Sequence, residues 1–201
     1  MQNTFMSKHK PEDYVERDGT GEYPCAPKKC PFGGCGINLE MKKHGFYSRM
    51  LITITFTYWI RIRRYKCSKC GRTLSMLPSF CVAGISYSVE FIVTLLQYIV
   101  NKGSIKKVVR EWRNIAANVS RRLANKYLAR LRNNRGLIQY GINQMSPDNI
   151  SLGRISGDAE WTKSFLGGMR LSLFPEFNAK FHKITGKSFM SSHNRISQPA
   201  L

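Results

Sequence analysis

Six cysteines are the residues whose type and spacing could most directly do chemistry in this sequence, and four of them fall into two pairs. Cys67 and Cys70, followed by Gly71, have the spacing of a metal-binding turn, in which both thiolates face one ion and glycine tolerates a left-handed backbone. Cys30 and Cys35 flank the glycine-rich stretch Pro-Phe-Gly-Gly and are the best candidates for the other half of a tetrahedron. We therefore predict a Zn²⁺ site, arranged as a zinc ribbon, with the ligands Cys30, Cys35, Cys67 and Cys70.

Such cysteines could instead form a disulfide or a redox dithiol. The N-terminus has no apolar run followed by small residues, so we expect no signal peptide, a cytoplasmic location, and thiols that are reduced or metal-bound. A thioredoxin-like dithiol needs a βαβ context, whereas Pro78 and a helical segment follow Cys70. Cys25 stays open as an alternate ligand, because Cys25 and Cys30 could form the first pair in place of Cys30 and Cys35.

The charge of the chain limits the classes of molecule that it is expected to bind. A formal net charge of +20 over 201 residues favours polyanions, chiefly nucleic acid or an anionic membrane surface. Residues 25–75 hold 11 basic side chains against 1 acidic, and residues 101–135 again hold 11 against 1. The longest apolar stretch, residues 89–100, is about half the roughly 20 residues of a spanning helix. We therefore predict two basic modules and no membrane segment.

A period of two residues marks a small β module. From Leu51 to Tyr65, isoleucines alternate with threonine, tryptophan and arginine, which predicts one long strand with an apolar and a basic face. Residues 42–50 are predicted to pair with it in antiparallel fashion, so that a hairpin separates the two cysteine pairs. The polar residues 1–24 are expected to form a disordered leader.

Helical periodicity follows Pro78. We predict three helices with short connections. The first covers residues 88–101, the second follows the N-cap candidate Ser104, and the third runs from near Ser120 to Gly136. These helices are, in order, apolar, short, and basic and amphipathic. This is the order found in a helix-turn-helix, whose last helix contacts DNA. The alternative is a three-helix bundle with a solvated basic face.

The third helix combines an apolar face with a basic one. Leu123, Tyr127 and Leu131 fall on one side of a helical projection, and arginine, asparagine and lysine fall on the other. In the major groove arginine can pair with guanine and asparagine with adenine, while lysine neutralises phosphates. The helical candidates for nucleic-acid contact are Lys106, Lys107, Arg121, Arg122, Asn125, Lys126 and Arg130. A second set surrounds the second cysteine pair: Arg61, Arg63, Arg64, Lys66, Lys69 and Arg72.

A family resemblance rests on three stretches of the sequence. They are the run KHGFYSR, the run IRRYKCSKCGRTLSMLPSF, and the tripeptide SYS that opens a helical segment. Over residues 30–135 the chain resembles a bacterial family of uncharacterised zinc-ribbon proteins associated with insertion elements and transposases. The resemblance implies cysteine pairs that flank a hairpin, a helix-turn-helix-like segment after them, and non-catalytic DNA binding in a mobile-element context. The family opens on Cys-Pro-x-Cys-Gly, whereas this chain has the longer CPFGGCG, so its first pair departs from the pattern.

Together these features predict an α+β fold: a small antiparallel β zinc ribbon over residues 25–80, followed by an all-helical helix-turn-helix-like domain over residues 85–136. Residues 137–201 are predicted as a C-terminal tail that is partly ordered at most. The predicted function is zinc-dependent DNA binding beside a transposase, with DNA and possibly a transposase as partners, no membrane and no small-molecule substrate.

Two alternatives to this function remain. One is an RNA-binding zinc-ribbon protein, in which unpaired bases would stack on Tyr47, Tyr58, Trp59 and Tyr65. The other is a truncated or accessory part of a transposase enzyme, for which Asp158 and Glu160 are the residues to test. No strand-helix alternation surrounds these carboxylates, so we expect them on the surface and predict no catalytic residue.

Overall fold

The fold is a mixed β-sheet with helices packed against it. The computed structural model describes residues 1–16, 23–35, 38–113, 115, 119–145 and 155–192. The strands are β1 (Gln2–Phe5), β2 (Lys42–Ile52), β3 (Thr57–Lys66), β4 (Thr73–Pro78), β5 (Cys81–Val82) and β6 (Ile85–Ser88). The helices are α1 (Pro11–Glu16), α2 (Val89–Lys102), α3 (Ile105–Trp112), α4 (Arg121–Asn133), α5 (Arg135–Met145), α6 (Asp158–Gly167) and α7 (Phe174–Thr185). A 3₁₀ turn spans Leu171–Leu173.

The six strands of the described residues form one nearly closed, barrel-like sheet in the order β1–β4–β3–β2–β6–β5. The centre is antiparallel: β2 pairs with β3, and β3 with β4. On either side of this centre the pairing is parallel, β1 with β4 and β6 with β2, and the last pair, β5 with β6, is antiparallel. The parallel pairs join segments that are distant in sequence, so the sheet extends beyond the cysteine-rich part of the chain.

The turn between β2 and β3 lies inside the run that the sequence predicted as one strand. The hydroxyl of Thr53 donates to the carbonyl of Phe56 at 3.0 Å and accepts from its N–H at 2.9 Å. Threonine closes such turns through its own side chain, without glycine or asparagine. Within β3 the predicted alternation is confirmed, because Ile60 and Ile62 are buried and Arg61 is exposed.

The predicted fold class is wrong. Instead of a small antiparallel zinc ribbon followed by a separate helical domain, the sheet and the helices share one structure. β1, from the segment predicted as a disordered leader, pairs with β4, and α7 packs against β1 and α2. The side-chain amide of Asn178 in α7 donates to the carbonyls of Ser79 and Cys81 at 2.8 and 2.9 Å. β1 covers the edge of β4 that would otherwise be open, and α7 packs against β1.

The starts of three helices agree with the sequence analysis. The hydroxyls of Ser88, Ser104 and Ser120 accept backbone hydrogen bonds of 3.1, 3.4 and 3.1 Å from the residues three positions ahead. The expected end at Gly136 is wrong, because α4 ends at Asn133 and Gly136 lies in the first turn of α5.

Residues 155–192, within the predicted tail, supply much of the helical core. Trp161 and Phe165 stack with ring centres 5.4 Å apart, and Phe177 and Phe181 lie 5.5 Å apart. These four side chains are buried together with the apolar residues of α2. This part of the tail is therefore integral to the fold; residues 146–154 and 193–201 lie outside the described part of the chain.

Candidate metal centre and basic helix face

The Cys67–Cys70 turn joins β3 to β4. The N–H of Cys67 donates to the carbonyl of Arg72, and the N–H of Gly71 to the carbonyl of Cys67, both at 3.0 Å. Gly71 has a φ of +69°, which favours glycine. The N–H of Cys70 lies 3.5 Å from the Sγ of Cys67 and stabilises its thiolate form. The turn is thus fixed by its own backbone.

The first pair lies in the irregular segment before β2. The N–H of Cys35 donates to the carbonyl of Phe32 at 3.1 Å, and Gly34 between them has a φ of +78°. Cys30 is buried and Cys35 is half-buried. Gly36, the last residue of the CPFGGCG motif, lies outside the described residues.

The two pairs meet in one cluster of four sulfurs. Two Sγ–Sγ distances are 3.8 Å (Cys30 to Cys70) and 3.7 Å (Cys35 to Cys67), and all four sulfurs lie within 4.8 Å of one another. A tetrahedral ion with metal–sulfur bonds of about 2.3 Å separates its ligands by about 3.8 Å, whereas a disulfide bond is about 2.05 Å long. The cluster could therefore hold a metal ion, and tetrahedral sulfur coordination suits zinc or iron.

The structure places the alternate ligand Cys25 apart from this cluster. Cys25 is exposed and lines a cavity with Tyr23 and Lys43. Cys81 is buried among apolar residues, and burial raises the pKa of its thiol to about 12. Neither cysteine joins the group of four that lies close enough for one ion.

The four thiols differ electrostatically. Hydrogen bonds from the backbone and then the side chain of Arg72 lower the pKa of Cys70 to about 6. The backbone N–H of Cys70 is the main cause of the lowered pKa of Cys67. Burial raises the pKa of Cys30 to about 12. The thiolate form is therefore favoured at Cys67 and Cys70 and disfavoured at Cys30, where a bound cation would replace the proton.

Arg72 has a role that the sequence analysis missed. Its guanidinium donates to the carbonyl of Gly33 at 2.8 Å and lies 4.6 Å from the centre of the Phe32 ring. Arg72, which is exposed and stays a predicted nucleic-acid contact, also joins the loop of the first cysteine pair to the second pair. Its only signal in the sequence is its position two residues after Cys70.

The other basic residues that were predicted to surround the second cysteine pair differ in exposure and in their contacts with aromatic rings. Arg61 is exposed and Arg63 half-buried, and their guanidinium carbons lie 4.5 and 4.4 Å from the centre of the Phe46 ring. Lys66 and Lys69 are exposed, and Arg64 is half-buried. Tyr65, predicted to stack bases in the RNA alternative, is buried, whereas Trp59 is exposed.

The helices α2, α3 and α4 contact one another pairwise. The rings of Phe91 in α2 and Trp112 in α3 lie 5.5 Å apart, and the hydroxyl of Tyr98 donates to the carboxylate of Glu111 at 2.9 Å. Half of the connection from α3 to α4, residues 114 and 116–118, lies outside the described residues. The compact arrangement fixes the orientation of α4.

The predicted faces of α4 are confirmed by burial. Its buried residues are Ala124, Tyr127, Leu128 and Leu131. Its predicted contact residues Arg121, Arg122, Asn125 and Lys126 are exposed, and Arg130 is half-buried. Lys106 and Lys107 are exposed at the start of α3. Four cationic or amide groups of α4 therefore face outward from a packed helix.

The carboxylates of the described residues are spread over the surface or paired with basic residues. Asp158 lies 3.0 Å from the guanidinium of Arg135, and Glu160 is exposed. Glu176 lies 2.6 Å from the ammonium of Lys180. Of the described histidine, cysteine and acidic residues, only the four cysteines are grouped closely enough for a metal ion.

The molecule is thus defined by a mixed sheet that carries a four-cysteine cluster and by a helical unit with a basic outer face. Residues 30–114 match the sequence profile of a domain of unknown function, DUF6431. The match includes the four cysteines and ends before α4. No curated protein and no solved structure matches the chain. Of the helices in the described ranges, none combines the length and apolar character needed to cross a membrane.

Proposed function

We propose that this chain is a metal-dependent DNA-binding protein in which the four-cysteine cluster holds Zn²⁺ and α4 contacts duplex DNA. The observation that carries the proposal is the division of α4 into two faces. Arg121, Arg122, Asn125 and Lys126 are exposed on a helix whose opposite face is buried. These side chains can pair with base edges and phosphates.

The metal supports this function indirectly. An ion bound by both cysteine pairs would tie residues 30–35 to the β3–β4 turn and stabilise this end of the sheet. Zinc is favoured because its structural sites commonly have four cysteines. Because thiolate ligands must stay reduced to bind the metal, we also propose a cytoplasmic location.

The proposed biological setting is a mobile element, where the protein would assist or regulate a transposase. This part is supported by the likeness of its cysteine-rich and helical segments to the insertion-element family. A pull-down of purified transposase by this chain that persists after nuclease treatment would support a direct contact. Loss of the contact after nuclease treatment would mean that DNA alone bridges the two.

The salt dependence of duplex binding tests the proposed function. If Lys106, Lys107, Arg121, Arg122 and Lys126 all neutralise phosphates, the slope of log affinity against log salt concentration should be roughly −4.5. The measurement is fluorescence anisotropy of a labelled duplex at several salt concentrations. Absence of duplex binding at low salt, or stronger binding to single-stranded RNA than to the duplex, would refute the proposal.

A further inference from the structure

The outer face of the β2–β3 hairpin carries aromatic and basic side chains that neither the metal centre nor α4 uses. Cross-strand partners share a face of a sheet, and Phe46 lies opposite Arg63 while Met50 lies opposite Trp59. Trp59 is 69% exposed, which is unusual for a large aromatic side chain. We call Phe46, Trp59, Arg61 and Arg63 the hairpin strip.

Within the hairpin strip, the arginines are held against aromatic rings. Both guanidinium carbons lie within 4.5 Å of the centre of the Phe46 ring. The Tyr23 ring lies 5.0 Å from the Phe46 ring and 5.7 Å from the Arg63 guanidinium carbon. Such contacts fix the orientation of each guanidinium beside the rings and keep its positive charge on this face of the sheet.

The strip leads into a cavity of about 750 Å³. Its lining includes the cations Lys42, Lys43 and Arg63, the ring of Tyr23, and the one acidic residue Glu40. This volume is within the range of about 300–1,000 Å³ that is typical of ligand sites. From Trp59 to Arg63 the strand spans roughly 13 Å, so the strip and the cavity together can accommodate a few nucleotides.

We propose that the hairpin strip and this cavity bind single-stranded DNA, with Trp59 stacked on a base and Lys42 and Lys43 on phosphates. An unpaired strand fits because its bases offer their faces to aromatic side chains, whereas a duplex presents base edges and phosphates. The excess of cations over Glu40 complements a polyanion. The choice of DNA over RNA rests on the proposed function of α4.

Trp59 also supplies the signal for the test. The chain has three tryptophans, and Trp112 and Trp161 are 2% and 1% exposed. Quenching of intrinsic fluorescence by an added oligonucleotide therefore reports chiefly on Trp59. The full chain would be titrated with oligothymidylate of about 15 nucleotides, and with a duplex, by quenching and by anisotropy.

The Trp59→Ala variant should bind oligothymidylate about tenfold more weakly, lose most of the quenching, and bind the duplex within twofold of the wild type. The matched control is Phe56→Ala, which removes another exposed ring of the same hairpin, 5.5 Å from Tyr58. This control should leave both affinities unchanged. An Arg122→Ala variant should weaken duplex binding alone, so failure of the α4 proposal and failure of this one give different results.

Three results would overturn the inference. The first is unchanged oligothymidylate affinity in Trp59→Ala. The second is an equal loss of duplex affinity in that variant, which would make the strip part of the duplex surface. The third is tighter binding of oligouridylate than of oligothymidylate, which would assign the strip to RNA.

Discussion

Arg72 donates a 2.8 Å hydrogen bond to the carbonyl of Gly33, and this bond joins the two halves of the cysteine cluster. The backbone N–H of Arg72, and after it the guanidinium, lower the pKa of the Cys70 thiol. Arg72 is therefore a positioning residue for the metal centre, because it fixes one cysteine loop relative to the other and favours a thiolate ligand.

The Arg72→Ala variant should bind the metal about 10- to 100-fold more weakly, which is the usual cost of losing a group that orients metal ligands. The measurement is competition with a chromophoric chelator. Lys69→Ala is the matched control, since it removes one exposed positive charge from the same turn. Equal losses in both variants would mean that Arg72 acts through its charge alone.

The ligand set is tested by single cysteine variants. Cys67→Ser should lose one equivalent of metal and lower the thermal midpoint, because the two cysteine loops are no longer joined through an ion. Cys25→Ser should retain the metal, since Cys25 is exposed and lies outside the cluster. Elemental analysis of both proteins also decides between zinc and iron. Metal loss in Cys25→Ser would contradict the assignment.

The local features of the molecule could be predicted from the sequence. The Cys67–Cys70 pair, the alternation around Ile60 and Ile62, and the caps Ser104 and Ser120 all depend on residues close together in the chain. The two faces of α4 follow from helical periodicity in the same way.

The fold class was not predictable by the same reasoning. The parallel pairing of β1 with β4 and the hydrogen bonds from Asn178 to Ser79 link residues that are 70 or more positions apart. Periodicity carries no signal for such partners. Thr53 closes the β2–β3 turn inside an unbroken alternation, so the turn was missed as well.

The packing of α5 against α7 predicts that alanine substitutions at two glycines of α5 change the stability in opposite directions. A Cβ added at Gly141 would lie 2.5 Å from the Phe181 ring, whereas one at Gly136 meets nothing within 4 Å. Gly141→Ala should therefore lower the free energy of unfolding by about 1–3 kcal/mol through overpacking. Gly136→Ala should raise it by about 0.5–1 kcal/mol through helix propensity. Denaturant titrations measure both, and a stabilised Gly141→Ala would contradict the described packing.

His182 predicts a pH dependence of stability. Burial lowers its pKa below the usual value of about 6.5, so the unfolded chain takes up the proton first as the pH falls. The stabilising contribution of neutral His182 is complete above about pH 6.5 and decreases as the pH falls through the lowered pKa. The free energy of unfolding should fall less between about pH 7 and pH 5 in His182→Leu than in the wild type. The exposed His44, changed to Gln, is the control, and identical slopes for wild type and His182→Leu would refute the prediction.

The most direct test of the central claim, that the outer face of α4 binds duplex DNA, is the duplex affinity of an Arg122→Ala/Lys126→Ala variant. Its control is Lys163→Ala/Lys183→Ala, which removes the same charge from exposed positions of α6 and α7. The α4 variant should lose about tenfold or more in affinity and lower the magnitude of the salt slope by about 2, while the control stays close to the wild type. Equal affinities for the two double variants would contradict the claim.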